Sequence, residues 1–216
     1  PPLPQVRAEN YQAQHPPLAY WLLVTLDRAM GFEDLPSRVY ALRMALVAIA
    51  SLCLPLLWAL CRRVFASQEL TVPACLVLAL MPNFAVYVAR VSNDGLAVAL
   101  MALAIVVFAS QAPLRHWALT SAMAAGVAAV ASLSKAYGIL LIPVYALAAL
   151  IPKPSSWLDP LRRFALFLAV FLLLAGWWFI PTFLSTGTLS GERLDVDAAA
   201  IPLAERLPNL FRVDWW

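Results

Sequence analysis

Tyr11-Gln12-Ala13-Gln14-His15-Pro16-Pro17-Leu18-Ala19-Tyr20-Trp21 passes abruptly from a polar, aromatic run through a double proline into apolar sequence. Prolines at that turning point suit a helix start, where a missing N–H leaves no intrahelical bond unmade. The apolar run that begins at Pro17 is interrupted at Asp27 and Arg28. It is therefore well short of the roughly 20 residues needed to cross a hydrocarbon core about 30 Å thick. Tyr20 and Trp21 are residue types that settle at headgroup level. Pro17 to Met30 reads as an interfacial helix on a membrane surface; a short tilted span is the alternative.

The rest of the chain supplies the membrane. Of its 216 residues, 63% are hydrophobic and 12% charged, with a mean hydropathy of +0.79. Soluble domains hold roughly 45–50% apolar and 25% charged residues. The charges cluster and leave long uncharged runs between them, so the expected fold is an all-α polytopic membrane bundle. Six spans are expected: Arg38 to Leu60, Leu70 to Ala89, Asp94 to Ser110, Trp117 to Leu133, Ala136 to Ile151 and Phe164 to Leu184. Pro73 and Pro82 interrupt the second, which neighbouring helices tolerate inside a membrane. The spans rich in alanine can pack closely. This divides the chain into three parts: 1–37, an extracytoplasmic loop end with the interfacial helix; 38–184, the six-span bundle; and 185–216, a loop and the start of a juxtamembrane segment.

The net charge of +3 comes without a basic stripe interleaved with aromatics, so no nucleic-acid partner is expected. Cys53, Cys61 and Cys75 lie in or beside apolar runs without metal-ligand spacing and read as buried hydrophobes. The chain opens at Pro1 with no signal peptide and reads as a fragment of a longer protein. One set of loops carries Arg62, Arg63, Arg115, Lys153, Arg162 and Arg163 and is placed in the cytoplasm by the positive-inside rule. The opposite side then holds His15, Arg38, Arg90, Asp94, Lys135 and the acidic tail with Glu192, Asp195 and Asp197. Basic residues retained there call for a reason, and an anionic lipid phosphate supplies one.

Two junctions between apolar segments carry ionisable groups, which are costly so near lipid and mark functional candidates. In Ser92-Asn93-Asp94-Gly95, the Asp94 carboxylate can bind a metal, orient an acceptor or position a basic partner. It can equally serve as a helix N-cap. In Leu133-Ser134-Lys135-Ala136-Tyr137-Gly138, the Lys135 ammonium can pair with a phosphate or simply snorkel to the surface. His15 can donate to a phosphate, bind a metal or hydrogen-bond backbone. Arg90, four residues before Asp94, can contact phosphate or pair with that aspartate. Nothing resembles a Gly-rich phosphate loop, a His-Glu-x-x-His zinc helix or a Gly-x-Ser-x-Gly elbow.

In order along the chain, these stretches resemble the GT-C superfamily of polyprenyl-phosphate-sugar-dependent glycosyltransferases. The likeness is to family 39-like protein mannosyltransferases and lipid A aminoarabinose transferases. His-Pro-Pro-Leu is similar to the family's Pro-Pro-Leu-Tyr-Tyr, and Ser-Asn-Asp-Gly-Leu-Ala to its Asn-Asp-Ala-Leu. Leu-Ser-Lys-Ala-Tyr-Gly-Ile-Leu is similar to Leu-Thr-Lys-x-x-Gly-Leu-Leu. Gly176-Trp177-Trp178 is similar to a Gly-Trp-Trp stretch whose following Arg-Asn is here Pro181-Thr182. The Trp pair reads as an interface anchor or a sugar-stacking surface. Gln14 stands where some relatives carry an acid, and the family's acidic pair in the first outer loop would lie before Pro1; Glu9 is not assigned that role.

The resemblance implies a transfer with inversion from a polyprenyl-phosphate-linked sugar to a lipid, glycan or protein acceptor. It would take place at the outer face of a bacterial inner membrane, with a divalent metal as an optional cofactor. Asp94 is then the catalytic-site carboxylate, and His15, Arg90, Asn93, Lys135 and Tyr11 are substrate-binding. The competing classes are a transporter or lipid flippase, which would set broken helices around a mid-membrane site, and a non-catalytic scaffold of the same fold.

Overall fold

The computed structural model describes residues 15–65, 67–110, 116–150, 156 and 158–189. Tyr11, Glu9, Gln14, Arg115, Lys153 and the acidic residues Glu192, Asp195 and Asp197 lie outside the described residues. Every regular element among the described residues is helical, as the apolar periodicity requires.

Helix α1, Leu18–Met30, starts directly after Pro16-Pro17 and stops at Gly31. Gly31 adopts φ 64°, a left-handed conformation that closes a helix without Cβ strain, and its N–H reaches Asp27 O at 3.3 Å. Three residues later the Asp34 carboxylate accepts the Ser37 N–H at 2.8 Å and caps α2, Leu35–Ser51, which also carries Pro36 in its first turn. Leu52 is a brief irregularity before α3, Cys53–Val64. Together α2 and α3 form an apolar stretch of 30 residues, Leu35–Val64. At 1.5 Å per residue that is roughly 45 Å, longer than the hydrocarbon core of about 30 Å.

Helices α4, Gln68–Leu80, and α5, Pro82–Val88, meet at a bend of 57°. Pro82 lacks an N–H, and Met81 before it is driven into extended backbone (φ −71°, ψ 111°), so the two helices cannot be continuous. Where the sequence leads one to expect a single span from Leu70 to Ala89, the structure has two helices. Helix α6, Asp94–Ala109, is apolar and short at 16 residues. Helix α7, Trp117–Ser134, is followed by a 3-10 helix, Ala136–Leu140, and by α8, Leu141–Ala148. The last described helix is the long α9, Leu158–Thr186.

Among the described residues three helices are long and apolar enough to cross a membrane: Leu35–Val64, Trp117–Ser134 and Leu158–Ser185. The bent α4–α5 pair makes a fourth if it counts as one span, and α6 and the 3-10/α8 segment are shorter apolar helices. Large apolar side chains such as Leu80, Leu147 and Leu173 face outward, as a lipid-embedded surface requires.

Helix α7 is the centre of the bundle. Ala124, Ala125, Ala128, Ala129 and Ala131 are fully buried, which lets neighbouring backbones approach closely. Against them pack Phe167, Phe171, Ala175 and Phe179 of α9 and Tyr145 of α8. Tyr145 stacks on Phe167 with centroids 4.0 Å apart, and Phe108 of α6 meets Tyr145 edge-on at 5.1 Å. The Tyr145 hydroxyl donates to Ser121 Oγ at 2.8 Å, so both buried hydroxyls are engaged.

Contacts at its two ends fix α6 against the α2–α3 pair. Gly95 sits against the Leu46 carbonyl, at 3.4 Å from where its Cβ would be, and against Ala50. At the far end Arg63 Nη1 donates to Val106 O at 3.2 Å. Helix α6 thus runs parallel to α2–α3 and begins level with the third turn of α2, about 16 Å along its axis. The first turns of α2 rise past the start of α6 and form a wall beside it.

Candidate functional site

Helices α6 and α7 are neighbours and run in opposite directions, so the start of one and the end of the other share a pole. Helix α7 ends because Lys135 turns to extended backbone (φ −153°, ψ 134°). The Gly138 N–H then returns to Lys135 O at 2.9 Å and closes a tight turn. A Cβ on Gly138 would stand 2.5 Å from the Ser132 backbone, so only glycine allows this turn to fold so closely onto α7. The turn delivers Lys135 to the first residue of α6, where its Nζ forms an ion pair with Asp94 Oδ1.

The second carboxylate oxygen of Asp94 accepts Ser92 Oγ–H at 3.0 Å, and the Asp94 N–H donates back to Ser92 Oγ at 3.3 Å. Asp94 is therefore no N-cap. That position belongs to Asn93, which is buried, has no side-chain cap bond, and offers its carbonyl to the Ala97 N–H. The Lys135 ammonium also lies 5.2 Å from the centroid of the Tyr137 ring, a cation–π distance. Side-chain exposures of 29% for Lys135 and 23% for Asp94 leave the pair accessible to a ligand.

Tyr20 of α1 faces the same pole. Burial raises its phenol pKa, and the nearby Asp94 charge raises it further, since a phenolate beside a carboxylate is disfavoured. Helix α1 leads from there to an Asp27–Arg38 ion pair at the start of α2, in which Arg38 Nε donates to Asp27 Oδ1 at 2.9 Å. Trp21 stacks on Trp177 of α9, with ring planes 6° apart and centroids separated by 6.3 Å. Trp177 meets Trp178 edge-on, and Trp178 turns toward the core.

Of the residues that the sequence marks as candidates, the structure joins Asp94 to Lys135 directly and places Asn93 beside them. Arg90 does not pair with Asp94: its guanidinium lies 5.3 Å from the Tyr87 ring centroid, on the exposed turn between α5 and α6. Lys135 holds the carboxylate instead. His15 precedes α1, five residues before Tyr20, and has no hydrogen bond or ion pair with the Asp94–Lys135 pair among the described residues. Tyr11 lies outside the described residues. Ser92, Tyr20 and Tyr137 join the site although the sequence reading gives them no role in it. A serine two residues before a helix-starting aspartate is a readable signal for the first. Nothing local in the sequence marks Tyr20 as more than a headgroup-belt aromatic.

Among the described residues no group of three or more His, Cys, Asp and Glu side chains could hold a metal ion. The polar set here is one carboxylate, an ammonium, hydroxyls and an exposed guanidinium, which suits an anionic headgroup better than a divalent cation.

An all-helical bundle with at least three helices long and apolar enough to cross a membrane defines an integral membrane protein. A family model described as dolichyl-phosphate-mannose-protein mannosyltransferase matches residues 14–179, and the chain belongs to that family. It is thus a membrane glycosyltransferase of the GT-C type. No curated protein and no solved structure matches the chain.

Proposed function

We propose that this protein transfers a sugar from a polyprenyl-phosphate donor to an acceptor hydroxyl at the extracytoplasmic face of a bacterial inner membrane. The observation that carries this reading is the Asp94–Lys135 pair, accessible at the pole where α6 begins below the first turns of α2. A lipid-linked phosphate brought there keeps its chain in the apolar bundle surface while its headgroup meets Lys135. The bundle is six-spanned, with α1 at the membrane boundary and the Arg62-Arg63 and Arg162-Arg163 ends in the cytoplasm.

In the transfer, an acceptor oxygen attacks the anomeric carbon and the bond from that carbon to the phosphate oxygen breaks. The oxygen leaves with the bonding electrons as polyprenyl phosphate, and the acceptor proton passes to a carboxylate base. Lys135 and Arg90 offset the charge that grows on the departing phosphate, with His15 as a further donor. Asp94 and Asn93 line the same wall, and Tyr11 extends it toward the donor. The acceptor is a lipid, glycan or protein hydroxyl.

The test is donor binding and transfer by the full-length chain in lipid nanodiscs. Lys135→Ala should weaken polyprenyl phosphate binding about tenfold or more, as expected for losing a charge-assisted contact. Arg90→Ala should weaken it less, because that guanidinium is exposed and screened. Unchanged binding in Lys135→Ala would remove the site.

A further inference from the structure

The ammonium that the transferase reading assigns to phosphate is not a bare cation. Asp94 already holds it, and Ser92 and the α6 backbone hold Asp94. We infer that Asp94 is a positioning residue that acts through Lys135. It fixes the ammonium at this pole and keeps the pair neutral, so that the site does not favour the more highly charged phosphate. The inference rests on the transferase reading of this pole.

The chemistry of the reaction makes that balance useful. A donor in which one phosphate bridges sugar and lipid is a diester with a single negative charge. The product is a monoester, whose second ionisation near pH 6 gives it close to two charges at neutral pH. A single lysine with no carboxylate would bind the more highly charged product more tightly and retain it. With Asp94 in contact with the same ammonium, each added negative charge on the ligand meets a resident negative charge at close range. The dianion doubles both the attraction to the ammonium and the repulsion from the carboxylate, so the pair cancels most of the extra hold that a lone lysine would keep on the product.

Helix α2 meets α6 beside Asp94 through Leu46 and Ala50, which carry no charge. Among the described residues the titratable groups beside the pair are Tyr20 from α1 and Tyr137 from the 3-10 turn, while Arg90 stands in the turn before α6, over Tyr87, and His15 precedes α1. Asp94→Asn preserves the shape: its Oδ1 can still accept from Lys135 while its Nδ2–H donates to Ser92 Oγ, so it removes the charge while leaving the geometry in place.

The experiment measures binding of polyprenyl phosphate to the full-length chain in nanodiscs of neutral lipid, from about pH 5 to about pH 8, spanning the second ionisation. Asp94→Asn should bind it about tenfold more tightly than wild type at the alkaline end. The gap should narrow at the acid end, where the monoester carries one charge. In turnover, Asp94→Asn should show stronger product inhibition. Adding Lys135→Ala should abolish the gain. If Asp94→Asn does not fold, the wild-type series decides: its affinity should stay level or fall as pH rises through the second ionisation, and a rise of about tenfold or more overturns the inference. Binding that depends on Lys135 but is unchanged or weakened by Asp94→Asn overturns this inference alone. Wild-type protein with no Lys135-dependent binding overturns both readings.

Discussion

Gly138 lies so close to Ser132 that a Cβ built on it would stand 2.5 Å from both the Cα and the N of Ser132. Those are backbone atoms of a buried helix and cannot move aside as a flexible side chain would. Gly138→Ala should therefore open the turn after α7 and cost about 1–3 kcal/mol, the range for overpacking a tight contact. Gly126, in the same helix, has nothing within 4 Å of its Cβ position. Gly126→Ala should be neutral or stabilise by up to about 1 kcal/mol through helix propensity. Thermal unfolding of the two variants in detergent provides the comparison, and equal melting temperatures would contradict it. Because Lys135 depends on this turn, Gly138→Ala should also lose polyprenyl phosphate binding.

The Asp27–Arg38 pair predicts an acid-sensitive hold on α1. The hydrogen bond from Arg38, followed by its charge, keeps the Asp27 carboxyl below its ordinary value. A carboxyl lowered in the folded state contributes stability above the unfolded pKa of about 4 and loses it as pH falls through the folded value. Asp34, lowered by its bond from Ser37 N–H, acts in the same direction at the start of α2. Hydrogen exchange of α1 amides should thus be even-handed from about pH 7 to pH 5 and faster below about pH 4, after correction for intrinsic rates. Asp27→Asn should show the faster exchange at every pH. An acid limb that survives in Asp27→Asn would assign it to Asp34 instead.

Much of this arrangement is legible in the sequence, and the exceptions share a cause. The start of α1 after Pro16-Pro17, the beginning of α6 at Asp94 and the end of α7 before Lys135 each follow from local chemistry: prolines, a charge beside an apolar run, a glycine two or three residues on. The span expected from Leu70 to Ala89 is two helices because Pro82 enforces an extended Met81, and the size of the bend depends on neighbours. The segment after Lys135 begins as a 3-10 helix, since the contact of Gly138 with Ser132 leaves no room for a full α turn. Partner choice is the least readable part. Arg90 and Lys135 are both available to Asp94, and the antiparallel packing of α6 on α7 selects the lysine, 41 positions away. That packing is set by the alanine face of α7 and lies outside any local pattern.

The α7 face makes its own prediction. Ala128 is fully buried where α7 meets its neighbours, and Ser121 is tied to Tyr145 across the bundle. Ala128→Leu should cost about 1–3 kcal/mol by forcing helices apart. Tyr145→Phe should cost less, about 0.5–1.5 kcal/mol, because membrane hydrogen bonds between helices contribute modestly. Denaturation in mixed micelles would rank them, and a larger loss for Tyr145→Phe would place the stability of the bundle in its polar contacts.

The last prediction concerns which side of the membrane holds the site. Val91, in the turn before Asp94, and Val64, at the end of α3, are both exposed and lie at opposite ends of the α2–α3/α6 pair. Cys53 and Cys61 are buried, so a Cys75→Ala background leaves little native thiol to react. In intact cells an impermeant maleimide should label Val91→Cys and spare Val64→Cys, and permeabilisation should expose both. The orientation follows from the basic ends at Arg62-Arg63 and Arg162-Arg163, which the positive-inside rule assigns to the cytoplasm. The reverse labelling would mean that α1 crosses the membrane rather than resting at its boundary, because one more crossing before α2 inverts every later loop. The Asp94–Lys135 pair would then face the cytoplasm, and a donor displayed at the outer surface could not reach it.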